Sequence, residues 1–133
     1  MISAVDTNIL MDLITDDPVY ADLSERLLRQ AYDEGGIVMS EVVYAEIAPQ
    51  FPDQEQLDDL LEKLSVRLVC SNARVAYSAG RKWGEYRKAG GTRSRLLADF
   101  LIGAHAMTHA ERLLTRDRGF YRQYFSDLPL LEE

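Results

Sequence analysis

ISAVDTNIL, the stretch from Ile2 to Leu10, decides the fold of this 133-residue chain. Its apolar start predicts a short strand that is buried on both faces and ends at Asp6. Thr7 and Asn8 follow, and both residue types are common where a helix begins. Because a buried charge is costly unless it lies at a site, we interpret Asp6 as a metal-binding carboxylate at the carboxyl end of a central parallel strand. An alternative that this stretch supports about equally is that Asp6 only caps the next helix.

Short apolar runs alternate with helical patterns along the rest of the chain. They predict further strands at residues 37–39, 66–69, 113–114 and 128–131. Helices are predicted between them at residues 9–14, 20–34, 40–48, 53–64, 72–89, 95–110 and 120–125. No hairpin signal interrupts this alternation. The sequence therefore predicts a single α/β domain over residues 1–133, with a mostly parallel central sheet flanked by helices.

The composition indicates a globular protein, with 47% hydrophobic residues and one cysteine, Cys70. A single cysteine excludes an internal disulfide and fits a reducing compartment. We expect Cys70 to be a buried strand residue. Neither a signal-peptide pattern nor an apolar run of membrane-spanning length is present. We therefore expect a cytoplasmic protein without a membrane role.

The net charge of −7 is unevenly distributed along the chain. Between Arg74 and Arg95 there are seven basic residues and one acid, so this basic segment carries +6 and the remainder −13. An acidic protein is a poor general binder of polyanions. The basic segment is therefore predicted to meet an anion locally.

Four acidic side chains form the candidate site. Asp6 ends the first strand, Glu46 lies on the helix after the second, Asp99 lies in the most apolar helix, and Asp117 follows the fourth strand. The carboxyl ends of parallel strands share one crevice, where Asp6 and Asp117 would meet and where helix starts can bring the other two close. Grouped carboxylates repel each other unless a cation neutralises them, and oxygen donors suit Mg²⁺ or Mn²⁺. Such a cation supports phosphodiester hydrolysis by a bound water.

Four segments resemble the acidic motifs of PIN-domain nucleases, and most closely those of VapC-type toxins from bacterial toxin–antitoxin pairs. They are VDTNIL at 5–10, YAEI at 44–47, ADFLIGAHA at 98–106 and LLTRDRGFY at 113–121. The resemblance implies a three-layer PIN-like domain and a magnesium-dependent endoribonuclease. It implies Asp6, Glu46, Asp99 and Asp117 as the catalytic acids, with Asn8 and Thr115 as polar support. It also implies a homodimer and a cognate antitoxin whose tail blocks the site.

Roles within this site follow from combining the resemblance with the residues. Asp6, Asp99 and Asp117 are expected to hold the metal, and Glu46 to hold it or to orient the attacking water. We expect Arg93 and Arg95, close in sequence to Asp99, to bind RNA phosphates.

Arg74, Arg81 and Lys88 share a helix face at seven-residue spacing. This face either binds RNA as well, is simply solvated, or contacts an acidic partner chain.

Other side chains have simpler interpretations. Trp83 is expected to pack in the core or a dimer interface, and His105 and His109 to be structural histidines with satisfied hydrogen bonds. Asp12 and the acids after it are most simply a solvated turn before Pro18, although Asp12 is a secondary candidate for an outer acid of the site.

Two rival functions remain at this point. A phosphatase with an aspartate nucleophile is disfavoured because it would require an acid two residues after Asp6, where this chain has Asn8. A non-catalytic RNA-binding or protein-binding PIN-like module is the main alternative.

Overall fold

A computed structural model describes residues 1–92 and 96–132. Its strands form one five-stranded sheet in the order β3-β2-β1-β4-β5, and all four neighbouring pairs are parallel. The strands are β1 (Ile2–Val5), β2 (Gly36–Met39), β3 (Val66–Leu68), β4 (Arg112–Leu114) and β5 (Leu130–Leu131). The predicted α/β class is confirmed, and the sheet is parallel throughout.

The first strand lies at the centre of this sheet. Ala4 is in register with Val38 of β2 on one side and with Leu113 of β4 on the other. All three side chains are buried, as are the other inner residues of β1. A continuous apolar strand is typical of a parallel sheet that is covered on both faces.

Helices cover both faces of the sheet, and they begin and end within a few residues of the predicted positions. They are α1 (Thr7–Ile14), α2 (Ala21–Glu34), α3 (Glu41–Ile47), α4 (Gln54–Lys63), α5 (Ala73–Lys88), α6 (Leu97–His109) and α7 (Arg118–Tyr124). A 3-10 turn, Ala48–Gln50, follows α3. Ser40, Asp53 and Asn72 cap three of the helices, because each side chain accepts a hydrogen bond from a backbone N–H three residues later.

Gly35 joins α2 to β2 where no side chain would fit. Its φ is +155°, and a Cβ there would lie 1.8 Å from the backbone oxygen of Met1. This close approach brings α2 back beside the start of β1.

An aromatic cluster holds α5, α6 and α7 together. The ring of Phe100 on α6 lies 5.5 Å from Tyr86 of α5 and 5.2 Å from Phe120 of α7, measured between ring centroids. Tyr124 and Phe125 complete the cluster. Rings at these distances and tilts attract each other beyond simple area burial. The cluster fixes the start of α6, which carries Asp99, against α7.

The prediction for Cys70 is wrong, because this residue is exposed and lies beyond the end of β3. β3 is an edge strand in which only Val66 is buried, and the chain leaves the sheet after Val69 donates its N–H to Met39. Among the residues that the structure describes, no helix is long and apolar enough to cross a bilayer.

Candidate functional site

The site lies at the carboxyl edge of the sheet, where β1 and β4 end side by side. The backbone N–H of Asp6 donates to the carbonyl of Leu114 at 2.9 Å, which extends the pairing of the two strands by one residue. Asp6 and Thr115 therefore leave the sheet next to each other, as expected for neighbouring parallel strands.

The carboxylate of Asp6 is the buried centre of the site, with only 6% of the residue exposed. Oδ1 accepts the N–H of Thr7 at 2.7 Å, so Asp6 does cap α1. Oδ2 accepts the Thr115 hydroxyl at 2.7 Å and the Asn8 amide at 3.4 Å. Because Thr115 directly follows β4, the carboxylate does more than cap a helix. The Asp6 carboxylate therefore lies where β1 and β4 both end.

Burial raises the pKa of Asp6 from 3.8 to about 6. Hydrogen bonds from Thr115, Thr7 and Tyr121 oppose this effect, and the charge of Asp99 adds to it. An ionised carboxylate in such surroundings is stabilised by any nearby cation.

Tyr121 on α7 is a site residue that the sequence analysis missed. Its side chain is buried, its hydroxyl hydrogen-bonds to Asp6, and its pKa is raised by burial and by the charges of Asp6, Asp99 and Asp117. The phenol therefore stays protonated and can donate to a carboxylate. Three of the four predicted acids thus act electrostatically on one hydroxyl group. The available signal in the sequence was a tyrosine one helical turn after Asp117, within a run interpreted only as an aromatic helix.

Thr115 connects the polar groups around Asp6. Its hydroxyl donates to Asp6 and accepts hydrogen bonds from Asn8 Nδ2 at 3.4 Å and from the backbone N–H of Asp117 at 3.0 Å. Asn8 and Thr115, which are predicted to support the acids, therefore both contact Asp6 directly. Through the same hydroxyl, the backbone of Asp117 is tied to the site.

Asp99 and Glu46 approach from two helices. Asp99 lies in the first turn of α6, and its Oδ2 accepts the backbone N–H of Leu96 at 3.1 Å. Glu46 on α3 is exposed, and its Oε1 accepts the Thr7 hydroxyl at 2.7 Å. Asp99 interacts with Asp6 through its charge, whereas Glu46 is linked to the site through Thr7.

Asp12 is not part of a solvated turn, in contrast to the simplest interpretation of the sequence. It is 3% exposed and forms an ion pair with Arg116. Helix α1 turns its side chain inward, because position 12 lies about one turn after the buried Ile9 on the same face.

The side chains of the candidate site agree in part with the predicted divalent cation. Within residues 1–92 and 96–132, no three Asp, Glu, His or Cys side chains are grouped closely enough to hold one ion between them. Mg²⁺, however, often binds through one or two carboxylates and keeps several waters. Asp6, with oxygen donors around it and a raised pKa, has the chemistry of such a ligand. The donor set thus suits a hard divalent cation.

The predicted substrate-binding residues have two different outcomes. Arg93 and Arg95 lie outside the described residues. Arg74, Arg81 and Lys88 are exposed on α5, which agrees both with RNA binding and with a solvated face. Trp83 is half-buried against the core, with the Arg87 guanidinium 5.9 Å from its ring centroid.

The two histidines of α6 differ from each other. His105 Nε2 lies 2.6 Å from the carbonyl oxygen of Val69, so the prediction of a satisfied histidine is confirmed there. Nε2 of His109 is buried and has no hydrogen-bond partner among the described residues, so the same prediction is wrong for His109. Its ring lies 4.8 Å from that of His105.

Comparison with solved structures shows the same fold in bacterial toxin–antitoxin complexes. VapBC2 from Rickettsia felis, bound to a DNA fragment from its promoter, matches with a TM-score of 0.74 and 24% identity over 98% of both chains. VapBC-1 from nontypeable Haemophilus influenzae matches with a TM-score of 0.72 and 24% identity, over 99% of this chain and 98% of that one. A toxin–antitoxin complex from Klebsiella pneumoniae matches with a TM-score of 0.64 and 20% identity, over 98% and 96% of the two chains.

Sequence comparison gives a family as well as a fold. No curated protein matches the chain. The PIN-domain family, in contrast, matches residues 4–126, which include all four candidate acids and Tyr121. The chain therefore belongs to the PIN-domain family.

Proposed function

We propose that this protein is a magnesium-dependent or manganese-dependent endoribonuclease and the toxin of a toxin–antitoxin pair. The observation that carries the proposal is the burial of Asp6 at the edge of the sheet where β1 and β4 end. The charge of Asp99 acts on Asp6, and the charges of Asp99 and Asp117 both act on its neighbour Tyr121. A protein gains nothing in stability from gathering these charges. A bound cation that neutralises these charges and acts on a phosphodiester substrate explains the arrangement.

In this proposal Asp6, Asp99 and Asp117 hold the metal. Bound Mg²⁺ or Mn²⁺ supplies a water of lowered pKa and contacts to phosphate oxygens. Thr115 and Tyr121 keep the Asp6 carboxylate in one orientation by donating hydrogen bonds to it.

Two further groups complete the proposed site. Glu46, placed by Thr7, either contacts the metal or orients the water. Asn8 supports Asp6 and Thr115 at once.

RNA is the proposed substrate because the basic segment ends shortly before Asp99 in the sequence. The last described residue before Arg93 is Thr92, which lines a cavity of about 610 Å³ between the end of α5 and α7, together with Tyr86 and Tyr124. Aromatic walls accept unstacked bases, and arginines hold phosphates. Arg93 and Arg95 would offset the repulsion between RNA and the carboxylates.

A cognate antitoxin and a homodimer are the proposed protein partners. The structures with the same fold are of toxin–antitoxin complexes. Outside its basic segment this chain carries a net charge of −13, which favours a partner rich in arginine. An arginine-bearing antitoxin tail at Asp6 would neutralise the same charges that a metal does and so block the site.

One observation favours the alternative, a PIN-like module that binds RNA or protein without turnover. It is the lack, among the described residues, of three carboxylates close enough to share an ion. Turnover that depends on a metal distinguishes the two functions.

The deciding experiment is cleavage of a labelled pool of transfer RNA and single-stranded RNA, with Mg²⁺, with Mn²⁺ and with chelator. The variant is Asp6→Asn, and the matched control is Asp59→Asn, the same chemical change at an exposed position of α4. We expect cuts that need metal, disappear in Asp6→Asn and persist in Asp59→Asn. Absence of cleavage by the folded wild-type protein under every condition would instead support the binding module.

A further inference from the structure

Arg116 lies between Thr115 and Asp117 but points away from them, towards α1. Its Nε donates to Asp12 Oδ2 at 2.7 Å and its Nη2 to Asp12 Oδ1 at 2.9 Å. Two parallel charge-assisted bonds of this kind fix both the distance and the orientation of the two groups. We refer to this pair as the Arg116–Asp12 clamp.

The clamp is itself held from two sides. The Ser24 hydroxyl of α2 donates to Asp12 Oδ2 at 2.6 Å. The guanidinium carbon of Arg116 lies 3.9 Å from the centroid of the Tyr20 ring, which stacks over it. The clamp therefore joins α1, the start of α2 and the segment between β4 and α7.

The backbone of the same segment is attached to the acidic site. The N–H of Arg116 donates to Asn8 Oδ1 at 3.2 Å, while the Asn8 amide nitrogen contacts Asp6 and Thr115. The N–H of Asp117 donates to the Thr115 hydroxyl. The side chain and the backbone of Arg116 thus hold one short segment against α1, and that segment carries both Thr115 and Asp117.

Stability alone is a weak reason for such a pair. Removing two charges from water costs about as much as their attraction returns, and apolar replacements of buried pairs are often neutral or stabilising. Fixed geometry is what a bidentate ion pair offers in addition. The groups whose geometry it fixes here are the ones that meet at Asp6.

We propose that Arg116 is a positioning residue, which acts through Asp12 to set the place of Thr115 and Asp117 relative to Asp6. The consequence for catalysis rests on the proposed function. The placement itself does not, because it can be measured without substrate or metal.

The test compares two clamp variants with a matched control. Arg116→Lys keeps the charge but loses the bidentate contact and the planar stacking, and Asp12→Asn removes the carboxylate. The control is Arg112→Lys at the opposite end of β4. Like Arg116, Arg112 forms a partly buried ion pair, in its case with Glu34 at 3.0 Å. The Nε of Arg112 donates to the Ser3 hydroxyl at 2.7 Å.

Amide hydrogen exchange gives the readout that needs no metal. In both clamp variants we expect exchange at the Asp117 amide to accelerate by about tenfold, with no change at Leu113 and Leu114 in β4. In Arg112→Lys the Asp117 amide should exchange as in the wild type. An unchanged Asp117 amide in both clamp variants would overturn the proposal, and so would equal acceleration throughout β4.

Metal affinity and kinetics extend the test to function. We expect the Mn²⁺ dissociation constant to rise and kcat for RNA to fall, each by about tenfold, with KM within about twofold of wild type. Arg112→Lys should change neither quantity. If the wild-type protein cleaves no RNA, the proposed function fails while hydrogen exchange still decides the role of Arg116.

Discussion

The Thr115 hydroxyl donates a 2.7 Å hydrogen bond to Asp6 Oδ2, and the two residues are 109 positions apart in the sequence. This bond joins the ends of two neighbouring strands. It lowers the pKa of the Asp6 carboxyl group and so opposes burial, which raises that pKa. The same oxygen of Thr115 accepts the N–H of Asp117. A single hydroxyl group therefore links two of the candidate catalytic acids.

Replacing Thr115 with valine tests this link with almost no change in shape. The variant removes the 2.7 Å hydrogen bond to Asp6 Oδ2 and leaves the Asp117 N–H without its acceptor. Each unsatisfied buried group costs about 1–3 kcal/mol. We expect a lower free energy of unfolding by urea denaturation, and slower RNA cleavage. Thr108→Val is the control, because the Thr108 hydroxyl donates a local hydrogen bond, to the carbonyl of Ala104 on α6. Equal cleavage rates in the two variants would contradict this role of Thr115.

Tyr121→Phe removes one donor to Asp6 and keeps the aromatic ring. Because the hydrogen bond from Tyr121 lowers the pKa of Asp6, its loss should raise that pKa above about 6 in the metal-free protein. Carbon-13 NMR of the Asp6 carboxyl group measures this directly, and the acid limb of the pH–rate profile should move in the same direction. Tyr124→Phe, in the same aromatic cluster, should leave both unchanged. A wild-type titration of Asp6 in Tyr121→Phe would refute the prediction.

Asp6 should contribute a loss of stability in the metal-free protein as the pH rises from about 4 to about 6. Asp6 binds its proton more tightly in the folded state, with a pKa of about 6, than in the unfolded state, with a pKa of 3.8. The folded state thus has an advantage below pH 4 that is lost above pH 6, amounting to at most about 3 kcal/mol. Asp17, Glu34 and Glu41 have lowered pKa values and contribute the opposite slope in both proteins. Urea denaturation in chelator should therefore show that the wild type loses stability with rising pH relative to Asp6→Asn. Identical slopes would show that Asp6 does not titrate as described.

Replacing Arg93 and Arg95 together with alanine tests phosphate binding. Each phosphate contact to single-stranded RNA contributes about 0.7 to the slope of log affinity against log salt. We expect weaker RNA binding and a slope that is shallower by about 1.4, measured by fluorescence anisotropy with Asp6→Asn as the background to prevent cleavage. Arg29→Ala, on the exposed face of α2, is a control for loss of positive charge. An unchanged slope in the double variant would remove these arginines from the RNA site.

Most of the fold could be predicted from the sequence, because the strands are short apolar runs and the first two are followed directly by a capping residue. Ser40 after β2 and Asn72 before α5 mark helix starts by local chemistry alone. Cys70 was misplaced because an edge strand and a central strand have similar apolar patterns, while only the central one is covered on both faces. Burial depends on neighbours in the sheet, which the local pattern does not contain.

The candidate site could be predicted only in part, for a related reason. Carboxylates at strand ends stand out against apolar runs, as Asp6 does. Tyr121 and Arg116 do not stand out, because their importance comes from partners on other elements, Asp6 for the first and Asp12 for the second. An aromatic residue in a helix and an arginine in a turn each have a commoner explanation in core packing or solvent contact.

The central position of β1 also determines when the protein can become active during its synthesis. β1 is made first, but it is bordered by β2 and by β4, and β4 begins only at Arg112. Contacts between such distant residues form late, since the intervening chain must first be present and then ordered. Thr115, Asp117 and Tyr121 all follow β4, so a partly synthesised chain on the ribosome contains Asp6 without these three partners. The acidic site therefore assembles only after β4 and α7 have been made, so any activity of the site begins late in the synthesis of the domain.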